Sequence, residues 1–223
     1  MANILYKSQT PAIVFRPSHH VTHVEAFAYF REFLSNFNCF TESDLESLED
    51  YWTVKRVKKN DYFFKADQVV NEIGFIVQGA VKHFRQYNGH YQVLSLLTEA
   101  NFCTMKKSFY LKMPTIQNTL CVENTTFVTI EHDTLIRLFE EIPVFYTFFT
   151  EISEDIILFL EKRLSAFQLL DAQKRYEELI VEEPDILFRF NLQDISNYLG
   201  IKPETLSRIR SNMQKKTGTS LRQ

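Results

Sequence analysis

Apolar residues recur along this chain in three distinct rhythms. Phe27, Phe30, Phe33 and Leu34 fall on one side of a helical projection, which predicts an amphipathic helix over 24–36. Thr41 stands where a helix cap belongs, ahead of an acid-rich first turn, so a short second helix is predicted over 42–51. Between 53 and 131 the period shortens to that of strands: TVKRV, YFFK, IGFIV, AVKHFRQY, HYQVLSLL, TLCVE and TFVTIE, separated by turn residues. Asn88-Gly89 is the strongest hairpin signal among them. Short antiparallel strands at this spacing predict a small sandwich or barrel.

The helical period then returns. HDTLIRLFEEI reads as a short amphipathic helix ending at Pro143, and a long helix is predicted over 144–170. One stripe of that helix is Phe145, Phe149, Ile152, Ile156, Phe159, Ala166 and Leu170, interrupted at Arg163; a second is Ile157, Leu160, Leu164 and Phe167. A single apolar face suffices to dock a helix on a β-domain. Two faces predict a second copy of the chain on the other side, the alternative being that both are covered within one chain. The candidate dimer contacts are Phe149, Ile152, Ile156, Phe159 and Arg163.

After a linking helix from Asp171 and a break at Pro184 comes LQDISNYLGIKPETLSRIRSNM, which reads as helix, sharp turn and helix. Leu192, Ile195 and Leu199 line the first helix; Gly200 accepts the left-handed angles the corner needs, Ile201 plugs it, and Pro203 suits a first helical turn. Leu206, Ile209 and Met213 line the second helix, leaving Glu204, Ser207, Arg208 and Ser211 outside. Those four side chains can read base edges in a DNA major groove: Arg pairs with guanine O6 and N7, and Glu accepts from cytosine N4. The plainer alternative is a two-helix corner carrying an exposed Glu–Arg pair.

Charge supports the DNA reading. The whole chain is at −3, but residues 193–223 hold six Lys/Arg against two acids. A local basic cluster attracts phosphates whatever the global balance. Three scattered cysteines (Cys39, Cys103, Cys121) suit reduced thiols in a cytoplasm and offer no cluster for zinc or iron–sulfur ligation. His19 and His23 have a metal-ligand spacing, but Pro17 and the β-branched neighbours argue against a helix there, and no metal site is expected. No apolar run is long enough to span a membrane, so no membrane partner is expected. With five glycines, no phosphate loop, no nucleophile elbow and no HExxH, no enzyme and no catalytic residue are expected either.

The segments PETLSRI at 203–209, IGFIVQGAVK at 73–82 and DAQKRYEELI at 171–180, in this order of parts, resemble the Crp/Fnr superfamily of bacterial transcription regulators over residues 37–213. The resemblance implies an α+β fold: a tail (1–24), an antiparallel β-roll sensor domain of the cyclic-nucleotide-binding type with flanking helices (25–143), a dimerisation helix (144–170) and a helix-turn-helix domain (171–223). It implies a homodimer on a palindromic double-stranded operator, with RNA polymerase as a further partner if the protein activates. Glu204 and Arg208 would contact bases, and Gln193, Lys202, Thr205, Arg210, Lys215 and Lys216 would hold phosphates.

Two departures from the family's pattern stand out. Thr104 and Met105 occupy the place of a ribose-binding Gly-Glu pair, and Thr115 or a neighbour that of a phosphate-binding arginine. Methionine accepts no ribose hydrogen bond and threonine neutralises no buried phosphate. Cyclic AMP is therefore not expected as effector; another small molecule, or none, would face a pocket of Phe102, Thr104, Met105, Thr115 and Gln117. Only QKKTGTSLRQ follows Met213, with no strand pair for a wing against DNA. A degenerate sensor or structural dimer without specific DNA binding is the alternative function.

Overall fold

The structure, a computed structural model, describes residues 20–220, with side chains from 20 to 214. His19 lies outside the described residues, as do the side chains of Lys215 and Lys216. Helix α1 (His23–Ser35) opens on a capping box in which Thr22 and Glu25 satisfy each other's backbone N–H groups. It buries Ala26, Phe27, Tyr29, Phe30, Phe33 and Leu34, the face its spacing predicts. Thr41 caps α2 (Glu42–Glu46) through a second box with Asp44, and Ser47–Asp50 tightens into a 3-10 turn where a continuous helix to 51 was expected.

Among the described residues, eight strands form two four-stranded antiparallel sheets. The first runs β1 (Thr53–Val57), β8 (Thr125–Glu131), β3 (Glu72–Gln78), β6 (Phe102–Cys103); the second β2 (Tyr62–Phe64), β7 (Asn118–Cys121), β4 (Val81–Tyr87), β5 (His90–Leu97). Asn88 and Gly89 both take positive φ (49° and 76°) and join Tyr87 to His90, the tight turn that dipeptide favours. Strand β3 is buried on both faces, which is why IGFIV reads as a continuous apolar run rather than an alternating one.

Three cores result. Between the sheets lie Phe63, Phe64, Val70, Ile76, Val81, Cys103, Met105, Cys121 and Phe127. Outside the first sheet, Phe75 and Val128 pack on α1, on Trp52 and on the start of the long helix α5 (Val144–Leu169). Between them stand α3 (Lys106–Leu111) and α4 (His132–Glu141). Outside the second sheet, Ala80, Phe84, Val93 and Leu96 share a core with α6 (Ala172–Glu182), α7 (Ile186–Arg189), α8 (Leu192–Tyr198) and α9 (Pro203–Ser220). The C-terminal domain is thus docked on its own roll.

Helix α5 uses its two stripes differently from the expectation. Phe149, Ile152 and Ile156 pack into the core between roll and α1. The Arg163 guanidinium is engaged within the chain: it donates to the carbonyls of Leu94 and Tyr198 (the latter at 3.1 Å) and lies over the Tyr198 ring at 3.8 Å. Phe159 faces a small cavity shared with Lys162, Arg163, Leu179 and Tyr198. Of the five residues expected at a dimer seam, Ile152 is buried in the chain's own core, while Phe149, Ile156, Phe159 and Arg163 are half-buried against the chain itself. The second stripe is the open one, with Ile157 60%, Leu160 54% and Leu164 60% exposed.

Candidate nucleic-acid interface

The corner between α8 and α9 is built as a Schellman motif. Ile201 N–H donates to Ser196 O (2.9 Å) and Gly200 N–H to Asn197 O (3.0 Å), with Gly200 at φ +69°. Asn191 caps the start of α8, accepting from the Asp194 amide at 2.8 Å. Ser196 is buried, and its hydroxyl donates to the Gln193 carbonyl at 3.0 Å. Ile195, Leu199, Leu206 and Ile209 fill the interior of the corner, as their spacing predicts.

The outer face of α9 carries the four expected base readers. Glu204, Ser207, Arg208 and Ser211 are all exposed. Of the expected phosphate contacts, Gln193 and Lys202 are exposed and Thr205 is half-buried. Arg210 is corrected. Its Nε donates to the Tyr176 hydroxyl at 2.9 Å and one of its Nη atoms is buried, so it braces α9 against α6 instead of facing DNA.

The five expected effector residues do not converge. Phe102 packs outward among Phe30, Phe33, Phe75 and Phe149. Thr104 donates to Glu72 O at 3.0 Å, Met105 is buried between the sheets, and the Thr115 hydroxyl accepts from Gln117 N at 3.1 Å. The roll interior is filled by side chains: Phe63 stacks on Phe127 with centroids 4.1 Å apart, and a Cβ on Gly74 would stand 2.8 Å from the Phe63 ring. His83 Nε2 lies 3.3 Å from Cys103 Sγ; burial pushes the imidazole pKa down to about 4 and the Cys121 thiol up to about 11. The cavity of about 500 Å³ at the mouth of the roll is lined by other residues, among them Thr53, Lys55, Phe63, Glu72, Thr129 and Glu131. No group of His, Cys, Asp and Glu able to hold a metal occurs among the described residues.

Sequence reasoning missed the groups that hold this domain in place. Asp194 is 2% exposed by side chain and receives Lys82 Nζ (2.8 and 2.9 Å), the Tyr91 hydroxyl (2.8 Å) and Asn191 Nδ2 (2.8 Å). Asn197 accepts from Val93 N–H (2.5 Å) and donates to Tyr91 O (2.7 Å), pairing with the free edge of β5. Arg189 ties α7 to Glu99 and Glu123. No local pattern distinguishes these polar residues from solvated ones, because their partners on the roll lie more than sixty positions away.

No family model matches the chain. The anaerobic regulatory protein of Haemophilus influenzae is 27% identical over 188 residues, spanning 78% of this chain and 72% of that protein. FixK2 of Bradyrhizobium japonicum is 15% identical with a TM-score of 0.64, covering 74% of this chain and 86% of its own. The c-di-GMP responsive global regulator CLP of Xanthomonas campestris is 14% identical with a TM-score of 0.60, covering 79% and 93%. A protein assigned to the Crp/Fnr family of transcriptional regulators, from Eubacterium rectale, is 15% identical with a TM-score of 0.59, covering 81% and 86%. A β-roll, a long helix and a C-terminal helix-turn-helix, in this order and with these likenesses, give the chain the fold of the Crp/Fnr regulators.

Proposed function

We propose that this protein is a non-catalytic, DNA-binding transcription regulator of the Crp/Fnr type that acts as a homodimer in the cytoplasm. The observation that carries the reading is the exposed face of α9, where Glu204, Ser207, Arg208 and Ser211 project from a helix-turn-helix whose corner geometry is complete. Its similarity to an anaerobic regulatory protein supports the same class. The dimer forms through the open stripe of α5, Ile157, Leu160 and Leu164, where three large apolar side chains lie in solvent at coiled-coil spacing. Two reading helices would then meet half-sites of a palindrome about one DNA turn (roughly 34 Å) apart. A dimer that activates would engage RNA polymerase as well.

Cyclic AMP is not the effector. Phe63 and Phe127 stack in the interior of the roll, and neither Met105 nor Thr115 can supply the carboxylate and the cation a cyclic nucleotide needs, which supports this reading. Recovery of bound genomic DNA, followed by gel-shift titration at two salt concentrations, tests the reading. A regulator yields a palindrome, a steep salt slope and a sequence preference. A structural dimer yields none of the three, and that result would sink the proposal.

A further inference from the structure

The docking of the helix-turn-helix on the roll combines two kinds of contact with different physical consequences. The apolar part, Phe84, Val93 and Leu96 against Ile195, Tyr198 and Leu199, gives attraction without direction. Apolar packing favours a close fit but has no donor–acceptor register of its own. The polar part is directional, and it converges on one short helix. Asp194 on the first turn of α8 is enclosed by Lys82 from β4, the Tyr91 hydroxyl from β5 and its own cap Asn191. One turn on, Asn197 bonds both Val93 N–H and Tyr91 O on the same edge strand. A bulge in the β4–β5 pairing leaves Leu94 without a partner, and the freed carbonyl is the one Arg163 of α5 takes while its other arm holds Tyr198 O.

Resting on the regulator reading above, we propose that Asp194 and Asn197 are positioning residues: they fix the single register in which α8 sits on β5, and so the direction in which α9 presents its reading face. The Lys82–Asp194 pair is buried, and a buried ion pair adds little stability over apolar replacements of like volume, because desolvation offsets the attraction. What it supplies is uniqueness, since any shift of α8 along β5 strands two charges without partners. Gln193 and the four readers on α9 stay exposed in this register, so the docked arrangement covers none of the reading face. A domain already held in the orientation that DNA requires loses less freedom on binding. In a dimer the same register, set in both subunits, fixes the distance between the two reading helices.

The test uses the full chain and operators whose half-sites are moved together or apart by one base pair. Wild-type protein should prefer its natural spacing by about tenfold or more, a coupling of ordinary size. The triple variant Lys82→Met/Tyr91→Phe/Asp194→Leu, which removes the ion pair together with the hydroxyl that bonds it, should keep its melting temperature and its base preference within each half-site. It should lose spacing discrimination to within about threefold, and the Val93 amide should exchange faster with solvent. If that variant fails to fold, Tyr91→Phe/Asn197→Ala, which keeps the ion pair, should show the same direction of change. A folded variant with undiminished spacing preference and a protected Val93 amide would overturn the proposal. Wild-type protein without any operator preference would instead overturn the regulator reading, and the register would then be judged on Val93 exchange alone.

Discussion

Replacing Gly200 by alanine probes the corner of the helix-turn-helix and its link to α5 in one step. Two costs arise. The backbone at φ +69° is a left-handed position, and holding an L-residue there costs about 1–2 kcal/mol. The added Cβ would also stand 2.8 Å from a ring carbon of Phe167, closer than atoms in contact can approach. Phe167 is 40% exposed, so its ring can swing aside. That motion pulls it from between Arg163 (5.6 Å) and Arg175 (4.9 Å) into a strained rotamer, at roughly 0.5–1.5 kcal/mol. Together the substitution should destabilise the chain by about 2–3 kcal/mol. Urea denaturation of Gly200→Ala, alone and in a Phe167→Ala background, separates the two parts. In the second background only the backbone cost should remain. An equal loss in both backgrounds would refute the contact with Phe167, and a loss below about 0.5 kcal/mol would refute the account of the corner itself.

His83 is half-buried beside Cys103 and neutral, with desolvation lowering its pKa to about 4 from the ordinary value of 6.5. A depressed pKa gives stability that is complete above pH 6.5 and lost as pH falls toward 4, by up to about 3 kcal/mol; His83→Leu should flatten that slope in thermal melts, and an unchanged slope would count against it. Leu160→Glu should shift sedimentation toward the monomer with little loss of fold, whereas Ile156→Glu should cost a few kcal/mol of stability, because only Ile156 packs on the chain's own core. If Ile156→Glu alone dissociates the dimer, the stripes are reversed. Arg208→Ala should cost roughly 1–3 kcal/mol on the operator and relax one base pair per half-site, while Arg210→Ala should lower the melting temperature and leave the salt slope as it was. Calorimetric titration with cyclic AMP should show no binding at low micromolar concentration, and heat of binding there would contradict a filled roll.

What could be read from the sequence follows the range of the interactions involved. Caps, turns and periodic faces are local: Thr41 with Asp44, Asn88-Gly89 and the Gly200 corner announce themselves within a few residues, and the structure has each of them. The exposure of Glu204, Ser207, Arg208 and Ser211 follows from the same local period. The misreadings share a different origin. Both stripes of α5 have the same period, so sequence could not say which one meets the roll; that depends on where Phe75, Phe102 and Trp52 stand, more than forty residues away. Arg163 and Arg210 read as a seam interruption and a phosphate contact because an arginine's charge is visible in sequence while its acceptors are not. Here those acceptors are the bulged Leu94 carbonyl and the Tyr176 hydroxyl. Asp194 is the sharpest case. On a helix of a basic segment it looks like a solvated acid suited to a first turn, and only the docking of β4 and β5 turns it into the most enclosed carboxylate of the domain. A charge that is expensive to bury is tolerated where its geometry decides something that apolar packing cannot, and in the register proposed above that is the direction in which α9 faces.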